Sequence, residues 1–292
     1  MLNRIVLAVV LTLLLVAGGT SGVRAQQPVS FGQQATNSSG WTFNVAPYLW
    51  MPSLNTSLNY NLPPAIGGTV SASQSVGFGD LVSHLNFGAM VAADAQYGRF
   101  SMLTDFMFMD LGGTPVQFKS VNFPGEAPIP ISGTVQTSQG LNMNSMVWTL
   151  AGGYTVVQGA WGNFDAIAGF RYLGINTRIN YSLGLALTGP GGNGETFGGI
   201  GSVSGYGHIW NAIGGFRGRI RVGDAGLFIP YYFDIGTGGS NLTWQISSGL
   251  GYHTKLTDVS LIYRYLSFEQ GDSVVVQRLW IQGPMLMVNF SF

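Results

Sequence analysis

The chain has 292 residues, of which 46% are apolar, 13% aromatic and only 8% charged, with 44 glycines and no cysteine. Twelve Lys and Arg against twelve Asp and Glu exclude a nucleic-acid binder, which needs a basic excess, and a disordered chain, which needs far more charge. Without cysteine there is no disulfide framework, Fe–S cluster or thiolate zinc site, and with three histidines neither a metal nor another cofactor is expected. A soluble protein of this size carries roughly a quarter charged residues; a lipid-facing surface explains the deficit.

Residues 1–25 read as a cleaved signal peptide. Arg4 supplies the positive start, Ile5 to Ala17 the apolar stretch, and Val23-Arg24-Ala25 the small residues before the cut. The apolar run is shorter than the ~20 residues of a membrane helix, and no later stretch reaches that length uninterrupted. A membrane protein of this sequence must therefore be a closed barrel, because only helices and barrels satisfy their backbone in lipid. Gln26 to Gly40 is rich in Gln, Ser and Asn and reads as a flexible periplasmic tail.

From Trp41 the pattern becomes alternation with period two. Trp41, Phe43, Val45, Pro47 and Leu49 alternate with Thr42, Asn44, Ala46 and Tyr48, and Leu85 to Tyr97 repeats the pattern. Phe100, Met102, Phe106 and Phe108 oppose Ser101 and Asp105, although Leu103, Met107 and Met109 lie on the second face too. Further segments follow around Met146–Val156, Asn163–Tyr172, Trp210–Val222, Leu227–Ile235, Leu242–His253 and Val259–Tyr265, and the last runs from Trp280 to Phe292. One face suits lipid and the other a polar lumen.

Ten such segments predict an all-β, antiparallel up-and-down transmembrane barrel over 41–292, with eight or twelve strands as alternatives. The connections alternate in length. Short ones fall at Gly98-Arg99, Gln158–Gly162, Gly223–Gly226 and Thr254–Asp258. Longer ones fall at Pro52–His84, Gly112–Gln139, Thr188–Ser204, Gly236–Ser240 and Glu269–Gln277. Outer-membrane barrels keep short turns in the periplasm, which puts both termini there. Leu54 to Phe78 has its own alternation and reads as a hairpin beyond the membrane; counting it among the spanning strands would give twelve.

Trp41-Thr-Phe43, Pro47-Tyr48-Leu49-Trp50, Asp80-Leu81, Gly283-Pro284 and the terminal Phe292 resemble a family of largely uncharacterised proteobacterial outer-membrane barrels within the wider OmpA-like and OmpW-like superfamily. The resemblance covers 41–292 and implies a Gram-negative outer-membrane protein without catalytic residues. Phe292, with Phe290, Val288 and Leu286 on the same face, is similar to the signal read by the barrel-assembly insertase. A terminal strand of that pattern offers an edge for templating.

The sharpest constellation is the set of inward charges: Asp94, Asp105, Asp165 and Asp234 with Arg171, Arg217, Arg219 and Arg264. In a narrow barrel they must pair, because breaking a buried pair costs about 3 to 5 kcal/mol. A salt-bridged plug is the first expectation; a narrow solute path is the second, and mixed signs give it no strong ion preference.

Catalysis would need a nucleophile and a base. His84 beside Ser83 with Asp80 nearby, or His84 or His208 with Asp80 or Asp110 as in a His–Asp protease, are the combinations available, each read as solvated histidine rather than as a site. His253 falls at a periplasmic turn. Gly189-Pro-Gly191-Gly-Asn-Gly194 matches the dinucleotide glycine pattern by letter only, since no strand-to-helix transition surrounds it. Trp41, Tyr97, Phe100, Phe164 and Phe292 read as one interfacial girdle, and Trp50, Phe108, Tyr172 and Trp210 as the other. Pro115 to Pro130 reads as an irregular surface loop.

The functional expectation is therefore an integral barrel with a structural or surface-interaction role, not an enzyme. A small porin-like channel for solutes or apolar compounds comes second, and a membrane-embedded hydrolase third. The expected partners are outer-membrane lipid and the insertase; no segment names an extracellular one.

Overall fold

The computed structural model describes residues 40–61, 69–114, 120–122, 129–130, 141–188, 194–239, 242–254, 257–270 and 276–292. The leader, the tail from Gln26 up to residue 39 and the 189–193 part of the glycine pattern lie outside them.

Ten strands close an antiparallel ring: β1 (Trp41–Trp50), β4 (Leu85–Tyr97), β5 (Phe100–Thr114), β8 (Leu141–Gly159), β9 (Gly162–Thr188), β10 (Gly194–Val222), β11 (Leu227–Gly238), β12 (Leu242–His253), β13 (Thr257–Glu269) and β14 (Val276–Ser291). β14 returns to β1 through pairs such as Val45↔Phe290 and Trp50↔Met285, so the ring of ten closes on itself. Phe43 and Phe292 exchange backbone hydrogen bonds at 2.8 and 3.1 Å. The count is ten, against the alternatives of eight and twelve.

Four tight turns and both described chain ends mark one end of the barrel, called here the turn end. Gly98, Gly223 and Gly226 take positive φ of 56°, 64° and 79° there, a conformation that glycine adopts without the Cβ clash. The other end carries the hairpins and is more elaborate than the sequence reading. β2 (Ser53–Asn61) and β3 (Thr69–Val76) do form the hairpin read from Leu54 to Phe78, and β2 pairs with the upper part of β14 outside the ring of ten. Helix α1 (Phe78–Ser83) follows and buries Leu81.

Three expectations are corrected at this end. Thr188–Ser204 is not simply a loop: β9 and β10 continue as a paired ribbon up to Thr188↔Gly194. A glycine-rich stretch has few side chains to show an alternation, so the strand signal was lost there. The segment read as irregular from Pro115 contains β6 (Ser120–Asn122) and β7 (Ile129–Pro130), which extend the β2–β3 sheet. The lumen, thirdly, is not polar throughout. Met107, Met109, Leu111, Val147, Leu266 and Phe268 point inward and are at most 3% exposed.

The outward face is apolar along the whole ring. Trp41, Phe43, Phe100, Met102, Leu261, Tyr263 and Leu286 are between 43% and 67% exposed. Burying them is normally favourable at about 25 cal/mol per Å², so a ring of them left uncovered calls for an apolar surrounding. Trp50, however, does not belong to the girdle in which the sequence reading placed it. It shares parity with Ala46 and Tyr48, faces the lumen, and is 1% exposed.

Candidate functional site

The site is the barrel interior, and it divides into two halves along the axis. Toward the turn end the inward positions carry charge and amide; toward the hairpin end they carry Met, Leu, Phe and Trp.

All eight inward charges named from the sequence lie in the lower and middle lumen, and each has an opposite partner. Arg171 on β9 meets Asp234 on β11 in a two-pronged contact, at 2.9 Å for Nη1–Oδ1 and 2.5 Å for Nη2–Oδ2. Its Nε donates to Thr149 and its Nη2 also to Gln245, both at 3.2 Å. Arg264 on β13 reaches Asp105 on β5 at 2.7 Å and donates to Gln245 at 2.8 Å and to the Tyr48 hydroxyl at 3.3 Å. Tyr48 in turn donates to Asp105 at 2.6 Å. Gln245 thereby ties the two arginines into one connected group.

Arg217 on β10 makes the second group, with Asp94 on β4 at 2.7 Å and Asp165 on β9 at 3.5 Å. Ser101 accepts from the same Nη2 at 3.0 Å. The third lies nearest the turns: Arg219 sits 3.7 Å from Asp258, which also holds the His253 ring at 2.6 Å. Arg219 stacks over the Phe228 ring at 5.4 Å.

Strand order shows what these pairs span. In the ring, β4 and β10 are four steps apart, as are β13 and β5. The Arg217–Asp94 and Arg264–Asp105 bridges are therefore chords close to a diameter, not contacts along one wall. Arg171, Asp234, Asn163 and Asp258 are 0% exposed. Gly215, two residues before Arg217, lets β10 lie close against β11: a Cβ there would collide with the Phe233 carbonyl. A pocket of about 40 Å³ remains between the first two groups, bounded by Asp105, Arg217, Arg264, Leu103 and Met285, space for a few waters at most.

Sequence reasoning missed Asp258, Tyr48 and Gln245. Asp258 shares parity with Ser260 and Arg264, so the alternation could have found it; assigning it to a turn hid it. Tyr48 and Gln245 were read as inward, but the hydrogen bonds that join them to the charges depend on strands remote in sequence.

The apolar half closes on Trp50. Its indole Nε1 donates to the Gly283 carbonyl at 3.1 Å, and its ring centroid lies 4.8 Å from the Arg264 guanidinium carbon, so it joins the two halves. Gly283 is where β14 passes the Met51-Pro52 crossing from β1 to β2: Met51 donates to the Pro284 carbonyl at 2.9 Å, and a Cβ on Gly283 would strike the Met51 carbonyl. Beside this crossing β1 leaves β4, since their pairing ends at Pro47↔Val91. The Trp50 N–H meets the Met90 sulfur at 3.4 Å instead of a strand partner.

At the hairpin-end rim, Ser83 and His84 do touch, at 2.9 Å, but the geometry does not activate the serine. The His84 Nδ1 lies 2.7 Å from the Asp80 backbone carbonyl and must donate to it, while the Ser83 hydroxyl donates to the same carbonyl at 2.8 Å. Among the described residues no basic nitrogen faces Ser83. Asp110 lies beside Asn86 rather than His84 among the described contacts, at 3.5 Å, and His208 stands exposed on β10. Among the described residues no group of three His, Asp or Glu is arranged to hold a metal.

Leu286, Val288, Phe290 and Phe292 all face outward on β14, with Phe292 72% exposed. Their backbone is paired with β1 and β13.

No protein-family profile and no curated protein sequence matches the chain. Among solved structures it is similar to the outer membrane protease OmpT from Escherichia coli, with a TM-score of 0.51 at 9% identity over 90% of this chain and 99% of that one. Neisserial surface protein A covers 87% of this chain and 99% of its own at 11% identity and a TM-score of 0.29. OprG from Pseudomonas aeruginosa covers 89% and 98% at 8% identity and 0.27. The first likeness supports the barrel fold; identities this low carry nothing about activity.

Proposed function

We propose that this chain is an integral outer-membrane barrel with a closed lumen and a structural or surface-interaction role. The observation that carries the reading is the pair of ion-paired chords, Arg217–Asp94 and Arg264–Asp105, across an interior that side chains already fill. Barrels of about eight strands are filled by side chains alone, and a ten-stranded ring lined with arginines has little more to spare. The uncovered apolar exterior suits hydrocarbon, and the turn end, with its short connections, suits the periplasm. On this reading residues 1–25 are a cleaved leader, and the chain belongs to the wider OmpA-like and OmpW-like barrels suggested by Trp41-Thr-Phe43 and Gly283-Pro284.

The proposed role is not enzymatic. Similarity to a protease covers nearly the whole barrel, yet the Asp80 carbonyl engages both Ser83 and His84 here, which leaves no activated nucleophile in that cluster. We also propose that Leu286, Val288, Phe290 and Phe292 are read by the barrel-assembly insertase. Deleting Phe292 should lower outer-membrane insertion while leaving export intact; unchanged barrel abundance would remove the signal.

A path for apolar compounds is the second reading. The Met- and Leu-lined upper lumen, and the end of the β1–β4 pairing at Pro47, favour it over a path for ions. Single-channel recording on refolded protein tests the choice: weak, irregular events are expected, and a large steady conductance would put a channel first.

A further inference from the structure

On the outer wall a shallow cavity lies over β4, and we propose that it is a binding site for one acyl chain of a glycerophospholipid, with the phosphate on Arg99. The inference rests on the barrel facing lipid, as proposed above, and goes further by assigning one place on the wall to one lipid.

The cavity measures about 170 Å³. Its floor is β4, where Ala93 and Ala95 stand at outward positions between Val91 and Tyr97. Register places larger residues on either side: Val45 and Thr104 flank Ala93, and Phe43 and Met102 flank Ala95. Phe43 and Met102 are 50% and 58% exposed, so the two alanines lie at the bottom of a trough running along the strand. Its walls are mostly hydrocarbon; of the polar residues that border it, Thr104 accepts from the Trp148 indole at 2.9 Å, and Asn44 and Asp94 are 3% and 6% exposed, with Asp94 held by Arg217. A narrow apolar trough parallel to the strands fits an extended alkyl chain and offers no partner to a polar ligand.

Two further features select a phospholipid. The trough ends at an aromatic rim, where Trp41 packs on Tyr97 at 5.3 Å and Phe100 on Tyr154 at 5.2 Å. Such a rim marks headgroup depth, and Tyr97 is two residues from Ala95, about 7 Å at strand rise. Directly beyond it, the β4–β5 turn presents Arg99, exposed, with Asp94 turned inward and held by Arg217. Among the described residues no carboxylate pairs with Arg99, and a guanidinium beside aromatic rings suits a phosphate.

The test uses full-length refolded protein in detergent, mixed with dioleoylphosphatidylglycerol or with dioleoylglycerol, which lacks the phosphate, and read by native mass spectrometry. Heat-modifiable migration of the wild type is read first; if it is absent, the barrel reading itself fails. With the barrel folded, wild type is expected to retain one phosphatidylglycerol more strongly than A93L/A95L, whose side chains fill the trough. Arg99→Gln is expected to bind both lipids equally. Ile235→Phe, exposed on β11 on the opposite side of the ring from β4, is expected to behave as wild type. Equal retention by wild type and A93L/A95L, or equal loss in Ile235→Phe, would overturn the site. Wild-type preference for neither lipid would overturn the role of Arg99.

Discussion

The two halves of the lumen close the same barrel by different physics. The turn-end half uses buried arginines, two of which, Arg217 and Arg264, have partners across the ring, and each contact is expensive to leave unmade: a buried charge that loses its partner retains its full desolvation cost. The hairpin-end half uses Leu266, Phe268, Met107 and their neighbours, 0–1% exposed, held by packing that no single residue specifies. The polar half fixes which strands face each other, and the apolar half fills space. A barrel sealed only by packing could relax around a lost side chain; one sealed by chords cannot.

The sharpest way to break that contrast is Arg217→Ala. It leaves Asp94 and Asp165 buried without their cation, and should cost about 3 to 5 kcal/mol in urea unfolding from lipid vesicles. Adding Arg219→Ala should raise conductance and cation preference together, as unpaired acids admit water. Leu266→Ala in the other half should cost less, about 2 to 3 kcal/mol, near the low end for buried leucine because the surroundings can collapse. It should leave ion preference unchanged. Trp50→Phe, at the junction, removes the indole hydrogen bond to Gly283 while keeping most of the ring, and should cost about 1 kcal/mol in the same assay. Arg278→Ala at the hairpin-end rim breaks a 3.6 Å contact with Glu269 between side chains 54% and 36% exposed. Solvent screens that pair, so the expected change is about 0 to 1 kcal/mol. A cost for Arg278→Ala equal to that of Arg217→Ala would erase the distinction between rim and interior.

The same contrast explains what could be read in advance. Alternation is visible where the two faces differ in polarity, so the strands carrying Asp94, Arg171, Arg217 and Arg264 and their inward charges were readable from spacing alone. It fades where both faces are apolar. In β5 the inward Met107 and Met109 lie beside the outward Phe106 and Phe108, and nothing in their chemistry says which way each points. Trp50 was misplaced for that reason, although its parity with Tyr48 held the answer. The β10 half of the ribbon, from Gly194 to Gly207, escaped because glycine leaves no facial record. Which arginine takes which aspartate depends on the ring order and the shear, and no local pattern contains those.

The absence of cysteine permits the most direct test of a closed interior. Thr149→Cys places a thiol in the polar half, at a position 2% exposed beside Arg171, and Arg221→Cys places one at the exposed turn-end rim. Labelling rates with a charged, water-soluble thiol reagent should be compared on the folded barrel in vesicles. The account predicts rapid labelling at 221 and almost none at 149 until Arg217→Ala is added. Equal labelling of 149 and 221 in the otherwise native barrel would show an open aqueous path and contradict the seal.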